Sequence, residues 1–164
     1  MKETSSTSAG RNAAMLRAIE LANLGVKNGL GGPFGAVIIK NGKIIAEGEN
    51  RVTSSGDPTA HAEIVAIRAA CLALGSHVLE GCEIYSSCEP CPMCLAAISW
   101  ARLESLHFGA SRQVAAKAGF DDEKLYLELA KNPEDRELPC VPWLAEEALA
   151  PFELWNAKVD KTPY

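Results

Sequence analysis

The chain has 164 residues, 48% of them hydrophobic, and a formal net charge of −5. That length suits one domain able to build a core without disulfide staples. The charge excludes a basic footprint for a phosphate backbone: no Lys/Arg cluster occurs, and residues 119–153 carry ten Asp/Glu against three Lys/Arg.

Residues 1–12 are polar, rich in Ser and Thr, and lack the apolar stretch of a secretory signal. Residues 1–11 are expected to form a flexible tail. Six Cys in this length read as reduced thiols available to a metal. No apolar run nears the roughly 20 residues of a membrane span. The expectation is a soluble, cytoplasmic protein with no membrane partner.

Met15, Leu16, Ile19, Ala22 and Val26 recur at helical spacing and predict an amphipathic helix over 12–28, broken by the Gly/Pro stretch 29–33. Asn41-Gly42 between two β-branched runs, 36–39 and 43–46, predicts a hairpin. A polar loop, 50–59, follows. Residues 61–74 read as a helix with Ile64, Ile67, Cys71 and Leu74 on one face and Gly75 as its cap. Residues 83–86 predict a strand. Residues 92–101 predict a helix with Pro92 at its first position. A strand over 103–109 and a helix over 124–130 come next. The stretch 139–164 resists assignment: Trp143, Phe152 and Trp155 call for burial, while Pro139, Pro142 and Pro151 interrupt the chain. Strands alternating with helices after a hairpin predict a single-domain, three-layer α/β fold with a mixed sheet.

The chemistry concentrates in His61-Ala62-Glu63 and Pro90-Cys91-Pro92-Met93-Cys94. With Pro92 opening its helix, Cys91 becomes the N-cap and Cys94 lies in the first turn. Both sulfurs then face the positive end of the helix, which favours thiolate, the zinc-binding form. His61 also opens a helix, where departure from helical geometry lets it converge with Glu63 on one ion. Two Cys and one His leave a fourth zinc position for water. Glu63 is then placed to carry that water's proton. The pattern His-x-Glu with Pro-Cys-x-x-Cys marks zinc-dependent nucleobase deaminases.

Three other readings compete. Cys88, Cys91 and Cys94 resemble the start of an iron–sulfur run, but the further Cys is missing and position 98 is Ile. A closed structural zinc site with Cys88 as fourth ligand leaves Glu63 idle. A redox Cys-x-x-Cys ignores both His61 and Glu63. Cys71 and Cys82 read as core or strand residues, Cys88 as an ordinary loop thiol, and His77 and His107 as structural.

The segments Asp57-Pro58-Thr59-Ala60-His61-Ala62-Glu63 and Ser87-Cys88-Glu89-Pro90-Cys91-Pro92-Met93-Cys94 resemble the cytidine deaminase superfamily. Gly31-Gly32-Pro33-Phe34-Gly35-Ala36-Val37, Ala118-Gly119-Phe120-Asp121-Asp122 and the terminal Tyr164 narrow the likeness to bacterial guanine deaminases. That resemblance implies an α/β/α sandwich with a central mixed five-stranded sheet. It implies one zinc per subunit on His61, Cys91 and Cys94, and Glu63 as proton shuttle. It implies a base pocket of Phe34, Asn50, the Ala62 backbone, Trp100, Asp122 and Tyr164, with Asp122 also assisting proton movement. It further implies hydrolytic deamination of guanine to xanthine and ammonia, in purine catabolism. The partners implied are a small purine base and a second subunit in a homodimer, with segment 139–164 crossing between subunits. Taken alone, Phe34 could be core, Asn50 a turn residue, one of Asp121 and Asp122 a helix cap, and Tyr164 a free end. A tRNA adenosine deaminase, a deaminase of cytosine or another amino-heterocycle, and a non-catalytic zinc-binding module are the alternatives.

Overall fold

The computed structural model describes residues 8–162. The chain divides after Asp122 into two compact units. Among the described residues, the first holds every strand, together with His61, Glu63, Cys91 and Cys94.

Helix α1 spans Ser8–Lys27. It begins before the periodicity predicted, so residues 8–11 are helical rather than tail; residues 1–7 lie outside the described part. Its buried face is Ala14, Ala18, Leu21, Ala22 and Gly25, not the larger set of the predicted stripe, of which only Ala22 is fully buried. Leu16 is 66% exposed. Small residues win this face because the helix lies close against the sheet. A Cβ added at Gly35 would sit 2.2 Å from the Ala18 carbonyl oxygen.

Strands β1 (Gly35–Lys40) and β2 (Lys43–Glu49) form the predicted hairpin. Asn41 and Gly42 both take positive φ, 51° and 76°, as a tight two-residue turn requires. Within the polar loop, Asn50 and Leu30 hold a four-residue helix, α2 (Val52–Ser55), too short to leave a periodic signal. Helix α3 spans Ala62–Leu74, and the Gly75 N–H closes it on the Cys71 and Leu72 carbonyls. Its buried stripe is Ala62, Ala66 and Ala70 beside Glu63. The predicted Ile64, Ile67, Cys71 and Leu74 face lies only partly inside.

Strand β3 (Cys82–Cys88), helix α4 (Pro92–Trp100) and strand β4 (Ser105–Ala110) complete a sheet of order β2-β1-β3-β4. The β1 pairings are antiparallel and β3–β4 is parallel. The mixed sheet has four strands among the described residues instead of five, because the chain after β4 turns helical, in α5 (Arg112–Lys117) and beyond.

Alternation on β1 splits the core in two. Ala36 and Ile38 join Ile84, Ile98 and the α3 alanines on one face. Val37 and Ile39 join Tyr85, Ala14, Ala18 and Leu21 on the other. The result is three layers, α1, the sheet, and α3 with α4. An Arg17–Glu47 pair ties α1 to β2 through two hydrogen bonds of 2.8 Å.

The second unit contains α6 (Glu123–Ala130), two short 3-10 turns and α7 (Ala150–Ala157). Pro151 falls in the first turn of α7, where a missing N–H costs nothing. None of the described residues of this unit is buried. Trp143, expected inside, is 83% exposed, and Phe152 and Trp155 are exposed too.

Candidate metal centre and base pocket

His61 is the N-cap of α3 and Cys91 the N-cap of α4. Both take extended backbone angles, with ψ of 155° and 169°, and neither side chain caps its own helix. Their donor atoms are therefore free to meet. The His61 Nδ1 lies 3.6 Å from the Cys91 Sγ and 3.5 Å from the Cys94 Sγ, and the three atoms lie within 4.8 Å of one another.

These spacings match the edges of a tetrahedron about an ion bonded at about 2.0–2.1 Å to nitrogen and about 2.3 Å to sulfur. The donor set fits zinc in chemistry as in distance. Cys88 is not part of it: its thiol donates to the Ser111 carbonyl at 3.8 Å, at the buried end of β3 rather than in a loop. The closed four-ligand and iron–sulfur readings thereby lose their extra cysteine.

The Cys91 and Cys94 thiols shift in opposite directions. The Cys91 thiol is pushed down to about 4, first by the hydrogen bond from Cys94 and also by His61, against burial. Cys94, fully buried, is pushed up by the same bond and by burial. Cys91 also holds His61 above the usual imidazole range.

Glu63 sits in the first turn of α3 and is buried. Its Oε1 accepts from the Ser86 hydroxyl at 3.0 Å, and its Oε2 from the Cys94 thiol at 3.4 Å. Burial pushes the carboxyl up, while its own backbone N–H, Ser86 and Cys94 oppose the shift. A buried carboxyl beside a metal ligand is placed for proton transfer.

The pocket candidates distribute unevenly. Asn50 is buried, and its Oδ1 accepts from the Gly32 N–H at 3.1 Å and the Val52 N–H at 3.2 Å. With Oδ1 engaged, the amide presents Nδ2 as a donor. Gly31 makes room, since a Cβ there would lie 2.3 Å from that Oδ1. Phe34 accepts the Asn50 N–H at its carbonyl and packs beside the α3 side of the core. Its ring meets Phe120 edge to face at 5.0 Å. Ala62 opens α3, so its N–H is a first-turn donor without an intrahelical acceptor.

Asp122 is part-buried and raised by burial, with the negative Cys91 adding to the rise. It lies within electrostatic reach of the ligands. Trp100 ends α4, 64% exposed and about 13 Å of helix from Cys91. Tyr164 lies outside the described residues. A cavity of about 400 Å³ on the α1 side, lined by Ile19, Phe34, Val114 and Phe120 among others, holds none of the three ligands.

Two contributors escaped the sequence reading. Ser86 lies inside a short strand, where alternation with Ile84 and Cys82 places it inward. Phe120 lay in a matched motif without a role. His107 is structural as expected, stacking on Tyr85 at 4.7 Å.

A buried carboxylate beside a His/Cys/Cys centre defines a class, the zinc-dependent hydrolytic deaminases. The family described as "Cytidine and deoxycytidylate deaminase zinc-binding region" matches residues 9–110, and the chain belongs to it, with zinc as its cofactor. Within that family, the chain is 53% identical over 148 residues to guanine deaminase of Bacillus subtilis, covering 90% of this chain and 95% of that protein. The X-ray structure of guanine deaminase from Bacillus subtilis superposes with a TM-score of 0.91 at 51% identity, over 93% of this chain and 98% of that one. A tRNA-specific adenosine deaminase of Agrobacterium fabrum is 51% identical over 78 residues, 48% of this chain and 51% of that protein.

Proposed function

We propose that the chain hydrolyses guanine to xanthine and ammonia, with Glu63 as the proton carrier. The extent of the likeness carries this reading. Similarity to guanine deaminase runs over nine-tenths of the chain, whereas similarity to the tRNA deaminase stops at about half. The acidic stretch 119–153 also opposes a tRNA substrate.

When bound, zinc supplies Lewis acidity that lowers the pKa of a coordinated water from about 15.7 toward about 7. Glu63 accepts the water proton at Oε2, the oxygen facing the ligands. It delivers that proton to the ring nitrogen beside the carbon that bears the amino group. The water oxygen bonds to that carbon. Glu63 then takes the remaining proton of the new hydroxyl and gives it to the amino nitrogen. The C–N bond breaks as the C=O forms, and ammonia leaves, so guanine and water balance xanthine and ammonia. Asn50 donates from Nδ2 to an acceptor on the base, and the Ala62 N–H donates to another. Phe34 packs on the ring. Trp100 lines the outer pocket, and Asp122 and Tyr164 complete it, with Asp122 assisting proton movement.

The protein works as a homodimer in which segment 139–164 crosses between subunits. Supporting this are a second unit that buries none of its described residues and an α1 that leaves Leu16, Ile19 and Val26 exposed. The substrate reading is tested by ammonia release from guanine, adenine, cytosine, their nucleosides and a tRNA. Guanine is expected to dominate. Preference for the tRNA with steep salt dependence would favour the adenosine deaminase, and no release from any would favour a binding module.

A further inference from the structure

We infer that Ser86 is a positioning residue for the proton carrier, fixing which oxygen of Glu63 faces the reaction. The inference rests on Glu63 being that carrier. Ser86 lies on β3 and is 1% exposed. On its strand it alternates with Cys82 and Ile84, so it points into the α3 and α4 layer. There its hydroxyl donates to Glu63 Oε1 at 3.0 Å. The Oε2 turns toward the ligands, 3.4 Å from the Cys94 Sγ.

The two side-chain donors to Glu63 differ in permanence. A cysteine that ligates zinc gives up its thiol proton, so Cys94 stops donating once it holds the metal. The Ser86 hydroxyl keeps its proton. In the zinc-loaded protein Ser86 is thus, among the described residues, the side-chain hydrogen-bond donor that holds Glu63. A carboxylate has two equivalent oxygens and a nearly free terminal torsion. A donor on one oxygen breaks that equivalence and reserves the other for proton transfer. The strand is a rigid mount for this donor: Ser86 pairs with Ala36 on β1 and Phe108 on β4.

Ser86→Ala, Ser86→Thr and Glu63→Gln, each in the zinc-loaded full chain, test the assignment. Ammonia release from guanine gives kcat and KM, and chelator competition gives zinc affinity. Misplacement of a catalytic group predicts that Ser86→Ala lowers kcat by about 10- to 100-fold with KM unchanged. Zinc affinity should stay at the wild-type value, and Ser86→Thr, which keeps the hydroxyl, should restore most of kcat. Unchanged kcat in Ser86→Ala overturns the assignment, as does a loss shared equally by Ser86→Thr or accompanied by weaker zinc binding. If Ser86→Ala does not fold, Ser86→Val against the isosteric Ser86→Thr isolates the hydroxyl, and equal rates overturn it. Full activity in Glu63→Gln overturns the underlying reading of Glu63 instead, which separates the two failures.

Discussion

At the residue scale, the centre is built by side chains that decline a local role. His61 and Cys91 stand at helix N-caps, where a polar side chain ordinarily bonds its own helix. Neither does so, and their ligand atoms gather with that of Cys94 within 4.8 Å of one another instead. Glu63 is the residue whose loss should matter most to rate. Glu63→Gln should keep zinc and fold and lose at least about a thousandfold in kcat, because general acid–base work is withdrawn. Metal content and ammonia release check this, and near-normal turnover would sink the mechanism. The four residues His61, Glu63, Cys91 and Cys94 were legible because their spacing has few other uses. Ser86 was not, because a lone serine in a strand carries no spacing signal; only the partner 23 positions away gives it meaning.

At the element scale, the site depends on how closely α3 approaches β2. A Cβ at Gly48 would lie 2.3 Å from the Ala62 carbonyl oxygen and 2.6 Å from the Ala66 nitrogen. Both atoms are backbone, so neither can swing away. Gly48→Ala should therefore cost about 1–3 kcal/mol. It should also weaken zinc retention, since His61 precedes the displaced turn. Denaturant titration and chelator competition measure the two effects, and a fully stable variant with normal zinc affinity would refute the argument.

The tie between α1 and β2 has a pH signature. The Arg17 hydrogen bond holds the Glu47 carboxyl below its ordinary 4.5. A depressed folded value means the stabilisation is full above the ordinary value and lost as pH falls through the folded one. The pair is about one-third exposed, so its contribution is about 0.2–1 kcal/mol. Glu47→Gln should lose that amount at neutral pH and match the wild type in acid. Equal stability gaps at both pH values would refute it.

Element positions were legible from turns and caps, such as Asn41-Gly42, Gly75 and Pro92. The buried faces were not. Apolar periodicity follows the large residues, whereas on α1 and α3 close packing selects the small ones.

At the scale of the whole molecule, segment 139–164 is the part the sequence resisted, and the structure explains why. Trp143, Phe152 and Trp155 stay exposed within the chain, so no intrachain pattern could assign them a burial partner. If segment 139–164 crosses between subunits, each base pocket borrows Tyr164 from its neighbour. Two defects on different chains should then complement each other. Glu63→Gln and a Tyr164 deletion should each be weak alone. Co-expressed, their mixed dimers contain one site with both Glu63 and Tyr164, and about a quarter of wild-type activity should return. Activity no higher than the sum of the parents would place Tyr164 in its own chain's pocket or outside any pocket. Deletion of Tyr164 with unchanged kinetics would make it only an end.

The alanine stripe of α3 has a consequence for how this protein tolerates change. Ala62, Ala66 and Ala70 are fully buried, while Leu72, two positions on, is 84% exposed. On this helix three of the smallest side chains are the constrained ones, while the large apolar side chain at position 72 is free to vary. A saturation library would sort by volume rather than by hydrophobicity. Positions 62, 66 and 70 would accept little beyond Gly and Ser, while position 72 would accept Lys or Glu.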